Sequence, residues 1–278
     1  MSEAQTRLDT EDALAFALGG ATRLYAIIGD PIAQVRAPAG ITKAFVGRGH
    51  RGVLVPIQVA PDDLSDFVSM AARIVNFDGM IITVPHKVAC STLCTSISER
   101  SRLLGAVNLM RKRTDGGWHG DMADGIGFLR AVMAKGFDPV RRRALVVGAG
   151  GAGSAIALAL IEAGIDELGV HDEDPRRRDR LIGRLNGLQR GRVAAATNDP
   201  AGYDLVANAT PAGMAVGDPL PVDVTRLAPS TMCGCVITKP EVSPFIAAAR
   251  QRGCVTATGG DMYLHQQELL VDFLLFTP

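Results

Sequence analysis

The stretch RRRALVVGAGGAGSAIALALIEAG, from Arg141 to Gly164, decides the fold. Four apolar residues, Ala144 to Val147, run straight into glycines, and the glycines run into a segment of Ala, Ile and Leu. A short apolar run ending in glycine reads as a buried strand and the small-residue run after it as a helix, so the segment is a strand, a tight turn and a helix in succession. Gly148, Gly150 and Gly153 set G-x-G-x-x-G at that turn, with Gly151 and Ala152 between the last two. Gly148 permits the sharp turn, Gly150 lets a pyrophosphate approach the backbone, and Gly153 lets the helix pack closely on the strand. N–H groups at the helix start face the anion. Asp172 closes the next apolar run 19 residues past Gly153, near the ~20 expected of the acid that accepts from a ribose 2′-hydroxyl.

Outward from this segment, β-rich runs alternate with helical patterns, the signature of an α/β fold with mostly parallel strands. Upstream, strands are expected at Leu24 to Ile28, Val53 to Val59 and Phe77 to Thr83, with helices near Pro38 to Val46 and from about Asp62. Val107 to Arg111 and the segment around Trp118 read as a hairpin joined by TDGG. Downstream, strands are expected at Leu168 to Val170, Val193 to Ala196, Leu205 to Ala207 and Met232 to Val236, and a last helix from Asp261 to about Phe276. Two α/β domains follow: a substrate-binding catalytic domain over residues 1–122, to which 256–278 return, and a Rossmann-type dinucleotide-binding domain over 123–255. The reaction is expected in a cleft between them.

Composition narrows the function. The 278 residues are 47 % apolar and 21 % charged, with 29 basic against 29 acidic side chains. A chain without net charge has no field to hold nucleic acid or acidic lipid, so a small-molecule partner is expected, and a homodimer is compatible with the composition. No apolar run reaches the length of a membrane span, and Glu3, Asp9, Glu11 and Asp12 at the N-terminus do not fit a signal peptide, so a cytoplasmic location is expected. Cys90, Cys94, Cys233, Cys235 and Cys254 lack C-x-x-C spacing, and no cluster of histidines sits near either close pair. They read as reduced, buried small hydrophobes, with no metal implied.

Asp172 and Glu173 would repel a 2′-phosphate, which favours NAD over NADP, whereas Arg176, Arg177, Arg178 and Arg180 could clamp one. A packing turn without ligand and an S-adenosylmethionine-dependent methyltransferase share the same glycine pattern.

Several ordered segments resemble the shikimate dehydrogenase family from about Ile28 to Phe273: GDPIAQVRAP (Gly29 to Pro38), ITVPHK (Ile82 to Lys87), GAVN (Gly105 to Asn108), DGIGF (Asp124 to Phe128), NATPAGM (Asn208 to Met214) and GGDMYLHQQ (Gly259 to Gln267). The resemblance implies an NAD(P)-dependent oxidoreductase that moves a hydride between the nicotinamide and a cyclic hydroxy acid or related ring alcohol. It implies Lys87 and Asp124 as the catalytic pair, with Asn108, Gln266 and Thr83 on the ring hydroxyls. Asn208, Ala209, Thr210, Met214 and Gly259 fall on the nicotinamide side. An alcohol releases a hydride only if its proton also leaves, and a lysine amine oriented by a carboxylate suits that task. His86 beside the lysine reads as structural or solvent-facing and stays outside the catalytic set; His119 sits in the hairpin, and His171 before Asp172 could only brush an adenosine.

Departures from the family pattern cluster at one place. Where the family has two serines around a basic residue, this chain has Val35 and Ala37 around Arg36, and Ile237 stands for a family tyrosine. Met122, Ala123 and Ile81 replace polar residues that support the site in the family. A carboxylate against such a wall would cost several kcal/mol, unless Arg36 forks onto it. The expectation is the family's redox chemistry on a different ring alcohol. A non-catalytic NAD- or metabolite-sensing regulator is the alternative.

Overall fold

The computed structural model describes residues 16–276, so the acidic residues Glu3, Asp9, Glu11 and Asp12 lie outside the described residues. The chain divides into two compact α/β units. The first holds the residues up to Ser98, Val107–Asp121 and the residues from Gln267; the second holds Glu99–Ala106 and Met122–Gln266. Among the described residues no helix is long and apolar enough to cross a membrane.

The first unit contains β1 (Arg23–Gly29), α1 (Ala37–Gly47), β2 (Gly52–Gln58), α2 (Leu64–Arg73), β3 (Phe77–Ile82) and α3 (Lys87–Leu93), then β4 (Ser96–Ile97), β5 (Leu109–Lys112) and β6 (Trp118–Asp121). Its sheet runs β2-β1-β3-β5-β6-β4. β1 pairs with β2 and β3 in parallel, and β5 and β6 form the expected antiparallel hairpin. Ile28, Met80, Ile82, Val68 and Trp118 close the core over one face.

β2 is an outer strand with little left to pair. Arg23 N–H donates to the Arg51 carbonyl and Val59 N–H to the Gly29 carbonyl, so odd-numbered residues turn toward β1 and Gly52, Leu54, Pro56 and Gln58 face the open edge. Of these, Gly52 N–H donates to the His50 carbonyl, Leu54 N–H donates to Thr42 Oγ1 at 3.1 Å, and Pro56 has no N–H.

The second unit contains α4 (Glu99–Leu104), α5 (Asp124–Ala134), β7 (Arg143–Val147), α6 (Gly151–Glu162), β8 (Glu167–His171), α7 (Pro175–Asn186), β9 (Arg192–Ala195), β10 (Leu205–Asn208), β11 (Met232–Cys235), α8 (Pro244–Gln251) and β12 (Thr256–Ala257). Its sheet, β12-β11-β10-β7-β8-β9, is parallel throughout. β7 lies where the strand order reverses, and ligands of such sheets bind beyond the carboxyl end of that position. α9 (Gly259–Leu275) begins in this unit and passes into the first after Gln266.

The break between Asp121 and Met122 falls beside the division at 122 read from sequence, whereas residues 99–106 and the stretch from 256 to Gln266 lie in the second unit. Residues 99–106 join the second unit because Leu104 and Ala106 enter its core and Arg184 Nη1 donates to the Leu104 carbonyl at 2.5 Å. The turn of α9 that carries Gln266 belongs there as well.

Candidate active site

In the second unit the glycine turn is built as its sequence requires. Gly148 has φ +101°, which a side chain would oppose, and its N–H donates to the His171 carbonyl at 2.8 Å. A Cβ on Gly153 would lie 1.8 Å from the Gly148 carbonyl oxygen, so the start of α6 rests directly on the turn. Gly150 is different, since a Cβ there would meet nothing within 4 Å. The first i→i−4 bond of α6 runs from Ser154 N–H to the Gly150 carbonyl at 2.8 Å. The N–H groups of Gly151, Ala152 and Gly153 therefore precede the helical ladder and suit a diphosphate. Asp172 closes the turn from the side, its Oδ2 accepting Ala149 N–H at 2.6 Å and its Oδ1 accepting Asp174 N–H at 2.9 Å. Its carboxylate keeps lone pairs for a further donor. Asp174, which the sequence reading passed over, caps α7 by accepting from Arg176 and Arg177 N–H; Arg177 Nη1 lies 3.9 Å from Asp172 Oδ2.

The segment Asn208 to Met214 follows β10 on the same edge of the sheet. Buried Asn208 accepts from Thr210 N–H and Oγ1 and donates to the Ala212 carbonyl and Cys235 Sγ. Ala209 N–H donates to the Val147 carbonyl, tying the segment to β7. Asp218 Oδ2 accepts Gly213 and Ala215 N–H, both at 2.9 Å; the Ala215 and Gly213 donors hold its carboxyl below the usual carboxylate range. Met214 packs on the core beneath.

Asp124 opens α5 and is only 4 % exposed. Its Oδ1 accepts from Gln266 Nε2 at 2.9 Å. Two glycines explain how a residue 142 positions away comes so close. A Cβ on Gly125 would meet the Ala155 carbonyl oxygen at 2.0 Å, and one on Gly127 would meet Gln266 Cβ at 2.8 Å. α5 thus presses against α6 on one side and α9 on the other, and DGIG carries the acid between two contacts that admit no side chain.

In the first unit the loops after β1 and β3 meet. Thr83 N–H donates to the Ile28 carbonyl at 2.9 Å and Asp30 N–H to the Val84 carbonyl at 3.0 Å, and a Cβ on Gly29 would collide with Thr83 Cγ2. Lys87, half-buried, is the first residue of α3. Asn108 is buried, its carbonyl accepting Ile82 N–H at 2.7 Å and its N–H donating to the Asp121 carbonyl at 2.9 Å. Thr83, Lys87 and Asn108 therefore gather at the carboxyl end of β3. Half-buried Val35 leads into α1, exposed Arg36 sits at its N-cap position, and Ala37 is buried as its first residue.

Ile237, read from sequence as a wall of the substrate site, is buried beside the Asn208–Met214 segment: its Cδ1 would lie 3.5 Å from a Cβ on Gly213. It is 4 % exposed and packs with Cys235, Phe245 and Ile246 in the core. It follows the end of β11, and half-buried Thr238 comes after it. Its carbonyl would meet a Cβ on Gly259 at 2.3 Å, so Ile237 supports the start of α9. His86 is buried, His119 Nδ1 bonds Ser96 Oγ at 2.9 Å, and His171 Nδ1 lies 3.2 Å from the Ala196 carbonyl. The five cysteines are unbridged, and burial pushes the Cys90 and Cys94 thiols up to about 12.

The model of the shikimate dehydrogenase substrate binding domain matches residues 27–110. A shikimate dehydrogenase (NADP(+)) of Rubrobacter xylanophilus is 36 % identical over 255 residues, covering 90 % of this chain and 89 % of that one. The chain belongs to the shikimate dehydrogenase family. Among solved structures, this family member is similar to the quinate dehydrogenase of Corynebacterium glutamicum in complex with NAD, at 30 % identity and a TM-score of 0.79, covering 91 % of this chain and 93 % of that one. It is also similar to the 5-ketofructose reductase of a Gluconobacter species, at 28 % identity and a TM-score of 0.79, over 92 % and 94 % of the two chains.

Proposed function

We propose that the protein is an oxidoreductase that transfers a hydride between a nicotinamide dinucleotide and a hydroxyl-bearing carbon of a small ring alcohol. The observation that carries this reading is buried Asp124, whose carboxylate is gripped by Gln266 at 2.9 Å. Burying an acid is costly, and a carboxylate held in this way suits the orienting of a proton-shuttling amine. When bound, the dinucleotide supplies the hydride donor and acceptor. The chain supplies the rest. Gly150, Gly151, Ala152 and Gly153 seat the pyrophosphate, Asp172 takes the ribose, and Asn208, Ala209, Thr210, Met214 and Gly259 flank the nicotinamide. The Lys87 Nζ shuttles the hydroxyl proton with Asp124 as its paired carboxylate, while Thr83, Asn108 and Gln266 orient ring hydroxyls.

NAD is the preferred dinucleotide in this reading. The Rubrobacter relative is named for NADP(+), but a 2′-phosphate beside the ribose that Asp172 would hold meets a like charge, and like charges repel. Asp172→Asn should shift the ratio of kcat/KM for NAD over NADP toward NADP by roughly 10-fold or more, a decade being about 1.4 kcal/mol. Steady-state kinetics with both dinucleotides measures it. A ratio that stays constant, or a native enzyme that favours NADP, would mean that the exposed arginines of α7 set the preference instead.

Val35, Arg36 and Ala37 form the substrate loop, and two of the three bring no hydroxyl to a substrate carboxylate. The expected result of assaying ring alcohols with NAD is turnover of a quinate-like, shikimate-like or ketose-like polyol. Shikimate itself should bind at least roughly tenfold more weakly than the best substrate, reflecting an unpaired carboxylate. Tight, rapid turnover of shikimate would refute the altered loop. If no ring alcohol is turned over, and S-adenosylmethionine rather than NADH protects the protein against heat, the oxidoreductase reading fails.

A further inference from the structure

The backbone that presents Lys87 is fixed from both sides. Upstream, His86 N–H donates to the Thr83 carbonyl at 3.0 Å and closes a four-residue turn. Downstream, Cys90 N–H donates to the His86 carbonyl at 2.8 Å as the first turn of α3, and Val107 N–H donates to the Lys87 carbonyl at 2.9 Å. The side chain of His86 adds a tether of longer range. The residue is 2 % exposed, and its Nε2 lies 2.7 Å from the carbonyl oxygen of Val59. Val59 is itself anchored, its N–H donating to the Gly29 carbonyl at 3.2 Å. A carbonyl only accepts, so Nε2 carries the hydrogen.

We propose that His86 is a positioning residue for Lys87: its imidazole ties the start of α3 to the segment that follows β2 and so fixes where the lysine side chain sets out. The inference rests on the proton-shuttle reading of Lys87 given above. The side chains of Val84, Pro85, Val88 and Ala89 are exposed, so among the residues that flank the lysine His86 is the one whose side chain reaches back into the fold. An apolar residue in place of His86 would fill the volume and leave the Val59 carbonyl without its donor; the backbone bonds would remain, but the turn would lose its tie to the segment after β2 and could settle in a displaced position. A displacement of about 1 Å at a catalytic group is enough to cost on the order of 100-fold in rate.

The test compares His86→Phe and His86→Gln in the full-length protein, with Lys87→Ala alongside. His86→Phe should lower kcat roughly 10- to 100-fold, with substrate KM and dinucleotide Kd changing less than about 3-fold, because position and not binding is lost. His86→Gln, whose amide N–H can reach the same carbonyl, should recover most of the loss. Imidazole ¹⁵N shifts of the native protein should report the Nε2–H form. A folded His86→Phe with unchanged kcat, a glutamine variant as slow as the phenylalanine one, or a native Nδ1–H tautomer overturns the inference. Should His86→Phe fail to fold, the tautomer decides. If Lys87→Ala keeps its turnover, the shuttle reading itself falls; an inactive Lys87→Ala beside an unimpaired His86→Phe removes only the positioning role.

Discussion

Lys87→Ala should abolish nearly all turnover, with kcat lower by roughly 10²- to 10⁴-fold, the range that a positioned acid or base contributes. The alanine variant should fold as the native protein does, because the lysine is half-buried at the start of a short helix and contributes no core packing. Its dinucleotide affinity should also be retained, because the glycine turn, Asp172 and the Asn208 segment all belong to the other unit. A dinucleotide titration followed by fluorescence, beside steady-state rates on the best ring alcohol, separates the two quantities. A rate within about 3-fold of native would show that the hydroxyl proton leaves by another route.

Gly153→Ala should produce the largest loss of stability. The added methyl would stand 1.8 Å from the Gly148 carbonyl oxygen and 2.8 Å from its carbon, and both belong to backbone held by β7 and β8. No side-chain rotation can relieve this contact, so α6 must lift away from the sheet, at a cost of about 3 kcal/mol or more. The same shift drags the N–H groups of the helix start out of place, and dinucleotide affinity should fall by at least roughly tenfold. Gly150→Ala gives the contrast. Its methyl meets no protein atom within 4 Å, so urea unfolding should be nearly unchanged while dinucleotide binding weakens. Native affinity in Gly150→Ala would place the pyrophosphate elsewhere, and native stability in Gly153→Ala would contradict the close packing of α6.

The parts of the fold that announce themselves locally were legible in the sequence. Strand β7, the glycine turn and α6 follow from one continuous segment, and the hairpin of β5 and β6 follows from TDGG between two β-rich runs. The two-residue strands Ser96–Ile97 and Thr256–Ala257 are too short to show any periodicity and are set by their partners. The placement of residues 99–106 in the second unit depends on Arg184, about 80 residues away, and no local pattern carries such a contact. At the site, Asp124 and Gln266 were named by family resemblance, but the reason they meet lies in Gly125 and Gly127, whose role depends on which helices cross there. Ile237 was named by family resemblance alone, and its packing with Cys235, Phe245 and Ile246 depends on residues that no local pattern links to it. For His86 the sequence left a structural and a solvent-facing place open; it is buried, and its partner carbonyl, 27 residues earlier, has no sequence signal at all.

The outermost ribbon of the first sheet bears on how copies of this protein behave when concentrated. Hydrogen-bonded growth of one sheet onto another needs a row of unclaimed donors. At Gly52, Leu54 and Pro56 the donors are spent on a turn, spent on a threonine, or missing. From Gly52 to Pro56, molecules that collide along this margin find no unspent backbone donor, and a ladder there lacks half of its bonds. Thr42 and Pro56 thereby guard against aggregation without taking any part in the chemistry.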